Sequence, residues 1–275
     1  MDQAAGLREQ MREMRRAAPP EPGDVAAFVV GSGKGGVGKS VLSVLFAAEL
    51  AHCGQRVLLL DGAQNQGNLH ILLGVRPVGR LELLLTGDVR PEELLRPLGE
   101  RLWLLPADSG AERLHALGPV DRARLHHRLS GLYDGFEAVV VDAGPGVESA
   151  VRVATMRADR LAVVAVPEPT SLSDAYALMK LVHLQLPQLP LEVLVNRVAD
   201  PGEGPAAFER LSLAARRFLG RELVYLGAVP EDPWLREAVR HPGQLLTGGS
   251  SAVQAVVAEI VAGWARSDLP MAEAS

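Results

Sequence analysis

The sequence predicts an α/β protein, a doubly wound and mostly parallel sheet covered by helices, preceded by a short N-terminal helical arm. Three observations carry this prediction. From Val25 onward, apolar β-rich runs alternate with helical stretches. Most of those runs are continuous rather than alternating, the pattern of strands buried on both faces. A glycine-rich loop, Gly33–Ser40 (GKGGVGKS), joins the first run to a helix.

Residues 2–16 read as a short helix, with Ala4, Leu7, Met11 and Met14 on one face. Pro19, Pro20, Pro22 and Gly23 then break it and form a semi-stiff linker. The expected organisation is therefore an arm and linker over 1–23 and a nucleotide-binding domain over 24–275. Strands are expected at Ala26–Val30, Arg56–Leu60, Leu102–Leu105, Ala138–Val141, Leu161–Val166, Glu192–Val195 and Val224–Val229. Asp200–Pro205 (DPGEGP) reads as a turn between a strand and a helix. The run Ser250–Arg266 places Val253, Val256, Val257, Ile260, Val261 and Trp264 at helical spacing.

Composition excludes several classes. The chain has 275 residues and a net charge of −5, which argues against holding DNA by bulk positive charge. Cys53 is the only cysteine, so one chain makes no disulfide and no cysteine-ligated metal site. No apolar run approaches the roughly 18–20 residues of a membrane span. The charged N-terminus lacks the apolar stretch of a secretory signal, so the cytoplasm is the expected compartment. Lysine plus arginine number 28, yet only Lys34, Lys39 and Lys180 are lysines. Two of those three fall in the glycine loop.

That loop fits G-x-x-x-x-G-K-[ST], and it stands between an apolar strand and a helix as the motif requires. Gly33, Lys34, Gly35, Gly36, Val37 and Gly38 would turn backbone N–H groups around phosphate oxygens. Lys39 would reach the β- and γ-phosphates, and Ser40 would ligate Mg²⁺. Asp142 ends the strand in VVVDAGPGV, where a carboxylate suits Mg²⁺ directly or through water. ATP and Mg²⁺ are the expected cofactors.

Lys34 is not part of the general P-loop pattern. The form KGGVGKS resembles the deviant Walker A ATPases of the MinD/ParA type. There the first lysine reaches across an ATP-bound homodimer to the partner's nucleotide, so Lys34, Lys39 and Asp142 are the expected catalytic set. Further stretches resemble the FlhG/FleN branch, whose members control flagellar number and placement. Asp2–Arg8 (DQAAGLR) matches its N-terminal motif, Glu168–Lys180 (EPTSLSDAYALMK) an internal segment, and Tyr225–Pro230 its late strand. The resemblance implies that Gln3, Leu7 and Arg8 engage an FlhF-type GTPase and stimulate it. It also raises a flagellar transcription regulator or switch component as a further partner. Asn196 would read the adenine edge, with Pro230 and Glu231 walling the base. Asp61 keeps the register of a metal-site aspartate.

The chain departs from the family where DADLGLAN becomes Asp61–Asn68 (DGAQNQGN). The aspartate that positions the attacking water is replaced by Ala63. Loss of such a group costs roughly two or more orders of magnitude in rate. Three outcomes stay open: very slow hydrolysis, rescue by Gln64 or Gln66, or completion of the site by a partner. The alternatives to a flagellar switch are a non-hydrolysing ATP scaffold and a MinD/ParA-like division or partition ATPase. Relatives often bind lipid through a basic C-terminal helix. Here that run carries Glu259 and, as its one base, Arg266, so membrane or polar attachment draws little electrostatic help.

Overall fold

The computed structural model describes residues 25–62, 68–77, 79, 83–86, 89–106, 118–144, 146, 147, 150, 158–247 and 252–266. The arm with Gln3, Leu7 and Arg8, and the loop with Ala63, Gln64 and Gln66, lie outside them.

The elements follow one another as β1 (Ala26–Gly31), α1 (Lys39–His52), β2 (Val57–Gly62), α2 (Leu69–Leu72), α3 (Leu83–Thr86), β3 (Arg96–Pro97), β4 (Leu102–Leu105), α4 (Pro119–Tyr133), β5 (Ala138–Ala143), β6 (Arg160–Ala165), α5 (Pro169–Gln185), β7 (Leu191–Val198), α6 (Glu203–Leu219), β8 (Val224–Pro230), α7 (Pro233–Ala238) and α8 (Ala252–Arg266). The strands form one sheet in the order β3-β4-β2-β5-β1-β6-β7-β8. Every pairing is parallel except β3 with β4.

Each expected strand is present. β2 and β5 run two residues further, to Gly62 and Ala143. β3 is an addition, and its two residues, one of them proline, carry no sequence signal. α6 starts at Glu203, inside the stretch read as a turn. Pro205 is tolerated there because the first turn of a helix needs no N–H partner.

The sheet is covered on both faces. Successive strand residues point to opposite sides, so Val29, Val139, Val163 and Val193 pack under α4, α5 and α6. Phe28, Val30, Val140 and Val164 pack under α1 and α8. α8 belongs to the core: Val253, Val257, Ile260, Val261 and Trp264 are all buried. Trp264 stacks on Phe28 at 4.5 Å and donates its indole N–H to Glu192 Oε2 at 2.9 Å. Glu192 also meets Arg160 Nη1 at 3.1 Å. Burial pushes the Glu192 carboxyl up, against the opposing pull of Arg160 and Trp264. At the far end of α1, Cys53 forms the C-cap and is exposed. Among the described residues no helix is long and apolar enough to cross a membrane.

Candidate nucleotide-binding site

The parallel strands bring their carboxyl ends to one edge, and β1, at the centre, delivers the glycine loop there. Two close approaches fix the loop's path. A Cβ on Gly33 would collide with the backbone carbonyl of Asp174 in α5. Gly38 has φ +92°, a left-handed conformation, and a Cβ there would strike Asn196 Nδ2. The loop is thus gripped between α5 and β7. Ser32 closes it by donating its hydroxyl to the Lys34 carbonyl at 2.9 Å.

α1 begins at Lys39 with no acidic residue in its first turn. Its free N–H groups and dipole therefore favour an anion at this point. Lys39 Nζ lies 2.7 Å from Asp142 Oδ1, with side chains 8% and 3% exposed. The Ser43 hydroxyl stands 3.0 Å from the Lys39 carbonyl and 3.3 Å from Asp142 Oδ1. Asp61 is fully buried beside Asp142 in the β2–β5 register and accepts the Leu69 N–H at 3.2 Å. Ser40 is half-buried in the first turn of α1.

Asn196 is 4% exposed and donates Nδ2 to the Val37 carbonyl at 2.7 Å. Asn196 also lines a cleft of about 350 Å³, together with Gly38, Val41, Pro230, Glu231 and Leu235 among others. Trp234 packs into the α1–α8 core and does not line the cleft. Arg197 forms the rim: the register slips between Asn196 and Val198, and Arg197 takes φ 58° at the bulge.

Lys34 meets residues not singled out individually in the sequence. Its Nζ lies 2.7 Å from Glu168 Oε2 and 3.2 Å from Thr170 Oγ1, at the start of α5. Lys34 holds the Glu168 carboxyl below its usual range, and the Arg197 charge adds to that. The one clue in the sequence was Glu-Pro-Thr at a helix start.

Strand, glycine loop, helix and buried aspartate in this order define a P-loop nucleotide-binding protein. The profile of the CobQ/CobB/MinD/ParA nucleotide-binding domain matches residues 28–242. The antiactivator FleN of Pseudomonas aeruginosa is 37% identical over 78% of this chain and 77% of its own length. The flagellum site-determining protein YlxH of Helicobacter pylori is 31% identical over 79% and 74%. Among solved structures, the MinC:MinD cell division complex of Aquifex aeolicus aligns with a TM-score of 0.71 and 27% identity, covering 89% of this chain and 97% of that one. The chain belongs to the CobQ/CobB/MinD/ParA nucleotide-binding family, in its ATP-binding FlhG/FleN branch.

The residues fit Mg²⁺ with a nucleotide better than a bare metal. Among the described residues no group of three or more His, Cys, Asp or Glu could hold a metal. Asp142, Asp61 and Ser40 supply a sparse oxygen set, which suits an ion that keeps waters and takes phosphate oxygens.

Proposed function

We propose that this protein is an ATP-dependent dimerising switch for flagellar number or placement. The observation that carries the reading is the pair of lysines in one loop: Lys39 buried on Asp142, Lys34 half-exposed beside it. We read Lys39 as serving its own nucleotide and Lys34 as serving a neighbour's. The similarity to FleN and YlxH supports the flagellar role.

In this reading Gly33–Ser40 cradles the phosphates and Lys39 trades Asp142 for them. Asp142 is then free for Mg²⁺, with Ser40 and Asp61 alongside. When bound, Mg²⁺ neutralises developing phosphate charge. Asn196 gives one amide N–H to Val37, which leaves its second N–H and its oxygen for the base. A group with both a donor and an acceptor suits the adenine edge. Lys34 crosses to the partner's nucleotide. The arm, through Gln3, Leu7 and Arg8, acts on an FlhF-type GTPase, and the protein works in the cytoplasm.

Ala63 makes hydrolysis slow. The test is turnover of the purified protein beside Lys39→Ala and Ala63→Asp at equal concentration. Ala63→Asp is expected to exceed wild type by roughly a hundredfold or more, the loss assigned to the missing carboxylate. Equal rates would show that another group orients the water. Removing residues 1–20 should abolish stimulation of the GTPase and spare ATP binding; full stimulation by the truncated protein would refute the arm's role.

A further inference from the structure

Lys34 is held in cis, by side chains from a different element. Glu168 and Thr170 stand at the first turn of α5, 134 and 136 residues away in sequence. Glu168 is the N-cap residue of that helix, yet its side chain makes no capping bond. Its carboxylate is turned to Lys34 instead. Gly33 packs against the α5 backbone at Asp174, so the root of Lys34 is fixed to the same helix. The pair is open: Lys34 is 37% and Glu168 60% exposed. Such an ion pair is weak enough to exchange for a phosphate.

We propose that Glu168 and Thr170 are positioning residues that latch Lys34 onto its own protomer. The idea rests on the reading that Lys34 bridges an ATP dimer. The latch raises the nucleotide and protein concentrations at which two copies join, so loss of Glu168 favours the dimer.

The test is sedimentation of the full chain with the magnesium salt of a non-hydrolysable ATP analogue. Glu168→Gln and Thr170→Val should each tighten the dimer. Opening one latch is worth roughly two- to five-fold, so two latches lower the dimer Kd by roughly four- to twenty-five-fold. The gap between Glu168→Gln and wild type should narrow in high salt. A packing defect would not produce tighter association. A Glu168→Gln dimer no tighter than wild type overturns the latch. If the wild type forms no dimer, or Lys34→Ala dimerises equally well, the underlying dimer reading falls and takes the latch with it.

Discussion

Lys39 and Asp142 neutralise each other at 2.7 Å where both are almost wholly buried. Removing one partner of a buried pair is costlier than never having it, because the survivor keeps its desolvation penalty. Asp142→Asn should therefore destabilise the nucleotide-free protein by about 3–5 kcal/mol in urea unfolding. ATP in the presence of EDTA returns negative charge to Lys39, so it should stabilise the variant more than the parent. Equal stabilisation would mean that phosphate does not replace Asp142 at Lys39. The P-loop spacing marked Lys39 and Ser40 at the start of α1, and the apolar run before it marked Asp142 near the end of β5. The bonds from Asn196 to Val37 and from Lys34 to Glu168 were not readable. They join residues 159 and 134 positions apart and exist only because the sheet order brings β7 and α5 to the loop.

Among elements, α8 is held by more than apolar area. Trp264 contacts Phe28 and Phe46, and its indole satisfies a buried carboxylate on β7. Trp264→Ala should cost about 3–5 kcal/mol. Trp264→Phe should cost about 1–3 kcal/mol, chiefly from the donor that Glu192 loses. If Phe proves as stable as Trp, the indole bond contributes nothing. Glu192 adds a pH dependence whose sign follows from burial. Its carboxyl is raised above the usual 4.5 in the folded state, so the native protein holds the proton more tightly than the unfolded chain. The stability this contributes is complete below 4.5 and declines as pH rises through the raised value. Glu192→Gln should flatten that decline in a series of denaturant midpoints; an unchanged slope would assign it to other groups. The long apolar strands were legible because burial on both faces leaves no polar position. β3 was not, because two edge residues hold no pattern. α6 was misjudged at its start because Gly-Glu-Gly-Pro satisfies a turn and a first helical turn equally.

For the whole molecule, we propose a boundary between arm and domain at the proline-rich stretch before Asp24. The chain from Asp24 onward is expected to fold alone, with the same urea midpoint as the full chain. A lower midpoint after truncation would mean that the arm packs on the body. Fold class follows from the alternation of buried strands and helices. The sheet diverges on either side of β1, which is why one edge gathers the glycine loop, two aspartates and the cleft lined by Asn196.

Cys53 gives that architecture a practical use. It is the only thiol in the chain, it is exposed, and it caps the helix whose other end begins at Lys39. Fourteen residues of helix place it roughly 20 Å from Lys39, far enough for a label to leave the glycine loop alone. A spin label or dye attached there needs no other cysteine removed. Two copies brought together would carry one matched probe each, at symmetry-related positions. The wild-type sequence therefore supplies its own molecular ruler for following assembly and release in solution.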